Sequence, residues 1–111
     1  MIELFQMTNK QTGYFRNESY SPRNSREKFL IEAFSRLKTK EQISNFIRDL
    51  LTLPEIEEFA NRLEIARLLL EGGSYQRIAK RIGVSTTTVT RVAHWLFKGC
   101  GGYWKVLKSK K

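Results

Sequence analysis

From residue 25 onward, apolar residues recur at intervals of three and four, the spacing that lines one face of an α-helix. Phe29, Ile31, Ala33, Phe34 and Leu37 make the first such stripe, with Ser25 ahead of it as the expected N-cap. Thr39 and Gln42 have the spacing of a capping box, in which two side chains satisfy each other's free backbone amides. A second stripe follows in Ile43, Phe46, Ile47, Leu50 and Leu51. Thr52 and Glu55 repeat the capping-box spacing, and Pro54 falls in the first turn, where its missing N–H costs nothing. Glu55, Glu57 and Glu58 gather at the positive end of this helix's dipole. The third helix is predicted to run to about Glu71 with Ile56, Phe59, Leu63, Ala66, Leu69 and Leu70 inside, and Gly72-Gly73 tolerates a left-handed cap. Two shorter helices are expected to flank Gly83, and a last one to follow Gly99-Cys100-Gly101-Gly102, carrying Tyr103, Trp104, Val106 and Leu107. No alternating strand pattern occurs, so the predicted fold is all-α with about six helices.

Residues 1 to 24 hold no sustained period and are rich in Asn, Ser, Thr and Gln, which predicts a flexible arm ahead of one helical domain over 25–111. No apolar run approaches the ~20 residues that span a bilayer, and the start lacks the basic-then-apolar pattern of a secretory signal. A cytoplasmic protein is therefore expected, with no membrane partner. Cys100 is the only cysteine, which removes a disulfide framework or a cysteine zinc cluster.

Charge sharpens the picture when counted by segment. Met1 to Glu71 holds 11 basic and 11 acidic residues, whereas Gly72 to Lys111 holds nine basic residues and no acidic one, so the entire +9 excess sits in the last 40 residues. A merely solvated surface normally mixes both signs. A folded segment without any acid points to a polyanion, above all nucleic acid.

Within that segment, residues 74 to 92 read SYQRIAKRIGVSTTTVTRV. Ala79 is small where two helices would cross, Gly83 can take the positive φ of a tight turn, and Ser85 is an N-cap residue type. Ile78, Ile82, Val84, Val89 and Val92 have the spacings that point inward from both helices. The joint match predicts a helix-turn-helix over 74–93. Its second helix would enter the major groove of double-stranded DNA, with Thr86, Thr87, Thr88 and Thr90 nearest the bases, Thr86 and Thr87 the better exposed pair, and Ser85 at the DNA-facing start of the helix. A threonine offers a hydroxyl to bases or phosphates and a methyl to thymine. Arg91, with Gln76, Arg77, Lys80 and Arg81 on the preceding helix, is placed to grip phosphates. One short recognition helix presents too little surface for specific binding, which usually buries ~1,000 Å² or more, so a homodimer reading a pseudo-palindrome is expected.

The stretch LTLPEIEEFANRLEIARLLLEGGSYQRIAKRIGVSTTTVTRV resembles the Trp repressor superfamily, most closely its YerC/YecD type. The resemblance covers Leu50 to Leu107 and implies an intertwined all-helical dimer acting as a transcriptional regulator, most simply a repressor. It also implies that Thr52, Arg62, Thr88 and Arg91 match ligand-contacting positions of a tryptophan corepressor pocket. Val92 stands where the family has a small glycine against the indole, and Trp95 replaces a serine one turn on. These side chains would fill the space, so no tryptophan corepressor and no other cofactor is expected. The same stretch is similar to the DNA-binding region of sigma factors, which require a further domain for a second promoter element.

His94 has no second His, Cys or paired carboxylate at ligand spacing, and no phosphate loop, nucleophile elbow or catalytic carboxylate pair appears, so neither a metal site nor an enzyme is expected. The alternatives to a sequence-specific regulator are an architectural protein that coats DNA with little preference and a helix-turn-helix that serves protein assembly.

Overall fold

The structure is a computed structural model that describes residues 19–108 of the chain. The predicted arm falls mostly on residues 1–18, outside the described residues. Six helices and no strand are present among the described residues: α1 Ser25–Ser35, α2 Lys40–Leu50, α3 Leu53–Leu70, α4 Tyr75–Ile82, α5 Thr86–Lys98 and α6 Gly102–Leu107. The all-α prediction therefore holds. Contacts divide the chain into two units, one spanning Tyr20–Ala60 and the other taking up the chain from Asn61, with α3 continuing from the first into the second.

In the unit of residues 20–60 the helices begin where side-chain caps are available. Asn24, not Ser25, caps α1: its side-chain oxygen accepts from the Glu27 amide at 2.9 Å, and Ser25 becomes the first helical residue. Both residue types serve as caps, and the extended backbone falls on Asn24. Glu27 is held in turn by Arg23, whose Nε and backbone N–H donate to it at 2.7 and 2.8 Å, and by the Tyr20 hydroxyl. These donors, Arg23 first, draw the Glu27 carboxyl down to about 2. Thr39 accepts from Gln42 N–H at 3.1 Å, but Gln42 returns its bond to Lys38 N–H at 2.7 Å, one residue before the partner that the capping box implies. Thr52 and Glu55 close the full reciprocal box, at 2.9 and 3.2 Å. The aromatic faces meet edge-on in Phe34 and Phe46, 5.2 Å apart. Even so, no residue between Tyr20 and Ala60 is buried.

From Asn61 onward the chain builds a core. Ile65, Ala66, Leu68 and Leu69 of α3, Ile78 and Ala79 of α4, and Val89, Val92, Ala93 and Leu96 of α5 form one buried cluster. Ile65, Val89 and Leu96 are wholly buried, each stabilising by roughly 1.5–3 kcal/mol relative to exposure. The expected inner face of α3 needs correction. Phe59 and Leu63 are exposed, at 51% and 41%, while Ile65 and Leu68 lie inside with Ala66 and Leu69. In α3, apolar side chains surround much of the helix, so periodicity alone does not select one face. The helix ends in a Schellman motif: Gly72, at φ 91°, donates to Leu69 C=O at 3.0 Å and Gly73 to Leu68 C=O at 3.1 Å.

Helix α6 is fixed against the end of α5. The Trp104 indole N–H donates to Leu96 C=O at 2.7 Å, satisfying one of the carbonyls that a helix C-terminus leaves free. Gly99 makes this return possible, because a Cβ there would lie 2.4 Å from the Trp95 carbonyl oxygen. Trimming the wholly buried Leu96 to alanine should cost about 2–5 kcal/mol, whereas Val106→Ala at an exposed position should stay within about 0.5 kcal/mol. Urea unfolding of the two variants checks this.

Candidate nucleic-acid interface

Helices α4 and α5 are joined by three residues, Gly83-Val84-Ser85, and pack directly on each other. Gly83 sits at φ 88°, where side-chain-bearing residues are strained, and the amides of Gly83 and Val84 both donate to Ala79 C=O, at 2.8 and 3.0 Å. This turn lets Ile78 and Ala79 face Val89 and Val92 across the helix crossing. Ile82 and Val84 are half-buried beside them. Ser74 caps α4 by accepting from Arg77 N–H at 3.2 Å, and Ser85 caps α5 by accepting from Thr88 N–H at 3.1 Å. The helix-turn-helix read from the sequence is present, and its second helix extends past residue 93 to Lys98.

Burial of one face of α5 decides which side chains remain outside. Thr86, Thr87, Thr90 and Arg91 are exposed, as are Gln76, Arg77, Lys80 and Arg81 on α4. Thr88 is half-buried, and its hydroxyl lies 3.1 Å from that of Ser85, so both belong to the cap. The Thr90 hydroxyl donates back to Thr86 C=O at 2.9 Å. Thr86 and Thr87 are therefore the threonines that combine exposure with a place in the first turn of α5.

Among the described residues from Asn61 onward, acidic side chains occur only at Glu64 and Glu71, and a single arginine engages both. Arg67 binds Glu64 through Nε at 3.0 Å and through a second nitrogen at 2.5 Å, and Glu71 at 2.6 Å. The Arg67 bonds hold the Glu64 carboxyl below its ordinary value, with the Arg81 charge adding to the effect. Sequence reading passed over this clamp, although its spacing, Glu64 three residues before Arg67 and Glu71 four after, is that of helical ion pairs. Exposed pairs of this kind add little to stability, so their main effect is on the field rather than the fold. Among the described residues beyond Gly72, every charged side chain is basic.

Comparison with known proteins places this arrangement. The Trp repressor protein family model matches residues 26–111. The chain belongs to the Trp repressor family. It is 39% identical over 82 residues to the uncharacterized protein YerC of Bacillus subtilis, covering 74% of this chain and 79% of YerC. A Trp operon repressor homolog of Chlamydia trachomatis is 38% identical over 85 residues, covering 72% of this chain and 89% of that one. A solved structure of a TrpR-like protein from Eubacterium eligens aligns at TM-score 0.71 and 32% identity, over 78% of this chain and 89% of the other. Both relatives and structure support the YerC-type, Trp-repressor-related assignment made from the residues. Trp repressor family membership points to a DNA-binding regulator rather than an enzyme.

The positions matched to a corepressor pocket are distributed as follows. Thr52 is engaged in the capping box that starts α3. Arg62 is exposed, and its charge partly offsets the burial that pushes the Tyr103 hydroxyl upward. Val92 is only 4% exposed and packs in the core, while Trp95 stands 58% exposed with its ring edge-on to His94 at 5.4 Å. Trp95 thus lies largely on the surface of this chain and outside its core. No group of three or more His, Cys, Asp or Glu converges among the described residues, and none of their helices is long and apolar enough to cross a membrane.

Ser85→Ala should lower stability by about 1 kcal/mol through loss of the α5 cap, whereas Thr86→Ala should change it by less than about 0.5 kcal/mol. Denaturant midpoints at unchanged slope measure both.

Proposed function

We propose that this protein is a cytoplasmic, sequence-specific, double-stranded-DNA-binding transcriptional regulator, a repressor, that acts as a homodimer. The observation that carries this reading is the pairing of exposed Thr86 and Thr87 at the start of α5 with a surrounding surface whose charged side chains after Gly72 are all basic. Thr86 and Thr87 read base edges, with Thr88 and Thr90 supporting the first turns, and Gln76, Arg77, Lys80, Arg81 and Arg91 hold the phosphates. The Ser85 cap keeps the tip of α5 in register for the groove.

Dimerisation is supported by the unit of residues 20–60. Its helices bury no residue, yet Phe29, Leu30, Ile31, Phe34 and Ile43 are 40–58% exposed. Apolar surface of this extent is expected to be covered, and a second copy also supplies the second recognition helix that a two-fold site requires.

Changing Arg77, Lys80 and Arg91 together to alanine should weaken binding to every duplex and flatten the dependence of log K on log salt by roughly 0.9 per lost phosphate contact. Thr86→Ala or Thr87→Ala should instead alter base preference among oligonucleotides selected from a random pool. Unchanged affinity in the triple variant would favour an assembly module, and equal affinity for selected and random duplexes an architectural protein.

The regulator works without tryptophan. Val92, in place of the family's small glycine, is packed into the core, and Trp95 brings a second bulky group to the same helix. Isothermal titration with tryptophan should give no heat of binding in the micromolar range, and a clear micromolar isotherm would refute the point.

A further inference from the structure

The basic surface does not end with the helix-turn-helix. On α5 the buried residues Val89, Val92, Ala93 and Leu96 define one side, and the opposite ridge reads Thr87, Arg91, His94 and Lys98, all exposed. The ends of this ridge are eleven residue steps apart, about 16 Å at ~1.5 Å per residue, which exceeds the ~8.5 Å depth of the major groove. With Thr87 at the base edges, Lys98 would stand outside the groove, on the side of the sugar-phosphate backbone. Helix α6 then adds two cations. Tyr103, Trp104 and Leu107 pack inward, leaving Lys105 of the helix and Lys108 at its C-cap exposed, three residues apart.

These cations stand on a fixed element. The bond from Trp104 to Leu96 C=O ties α6 to α5, and the Lys108 ammonium lies 5.8 Å from the centroid of the Trp104 ring. No acidic side chain occurs anywhere from Gly72 to the end of the chain to balance them. Like charges on one segment that supplies no acid of its own repel one another, and a row of phosphates relieves that repulsion.

We infer that Lys98, Lys105 and Lys108 form a phosphate track that binds the duplex backbone flanking the base pairs read by Thr86 and Thr87. The track rests on the DNA-binding reading and extends it: the footprint of each protomer is longer than its recognition helix, and part of the affinity is independent of sequence.

The test uses the full chain and two duplexes, about 20 and about 40 base pairs long, that share one central site selected from a random pool. Wild-type protein should bind the longer duplex roughly tenfold more tightly. The Lys98→Gln, Lys105→Gln, Lys108→Gln triple variant should lose most of that advantage and lower the salt slope by roughly 0.9 per track contact removed, with base preference unchanged. Replacing the same three lysines with arginine should restore both, and far-ultraviolet circular dichroism establishes that each variant is folded. A glutamine variant that keeps the wild-type length advantage and salt slope overturns the track. If that happens while the Arg77, Lys80 and Arg91 variant loses binding, only the track falls; if both variants bind as wild type does, the DNA-binding reading falls as well.

Discussion

Everything the helix-turn-helix presents outward depends on the burial of one side of α5. Val89, Val92, Ala93 and Leu96 pack among Ile65, Ala66, Leu68 and Leu69 of α3 and Ile78 and Ala79 of α4, and that contact fixes the rotation of α5 about its own axis. Side chains of this kind contribute roughly 1.5–3 kcal/mol each on full burial, against about 0–1 kcal/mol for an exposed ion pair. Packing therefore sets the geometry, and charge acts on a surface already defined. A rotation of one residue, 100° about the helix axis, would carry the exposed threonines toward the core and bring a buried valine out.

The turn before α5 serves the same end. Gly83 supplies the left-handed step, Ala79 accepts two amide bonds from the turn, and Ser85 terminates it with a cap. Three short-range interactions thus hold the first turn of α5 at a defined distance from α4. Electrostatics then biases what meets it. By binding both Glu64 and Glu71, Arg67 offsets the negative charge nearest this surface while leaving the basic side chains of α4 and α5 exposed. The result joins a neutral, hydroxyl-bearing tip to a cationic surround, the division that the proposed base reading and phosphate contacts require.

The two units differ in how they account for their apolar residues. The chain from Asn61 closes a core of its own, whereas the helices of residues 20–60 carry apolar stripes without a buried residue. Amphipathic helices left in that state find their stabilisation in a further surface. A second copy of the chain offers such a surface, and the proposed function uses the pair that results.

Local features were legible in the residues themselves. The Thr52–Glu55 box, the Gly72 terminus of α3, the Gly83 turn and the Ser85 cap depend on a few neighbouring atoms, and each residue type has a steric or hydrogen-bonding reason to stand where it does. The inward set of the helix-turn-helix was legible too, because Ile78, Val89 and Val92 are apolar on an otherwise polar background. The choice of Asn24 over Ser25, and of Ile65 and Leu68 over Phe59 and Leu63, was not. Both choices lie between chemically similar candidates. The sequence by itself determined the helices, most of their ends and the segregation of charge, since these follow from interactions within a few residues. Only the tertiary structure decided which side of α3 is covered and how Trp95 and Val92 part company, because a side chain's exposure is set by what packs against it from elsewhere in the chain.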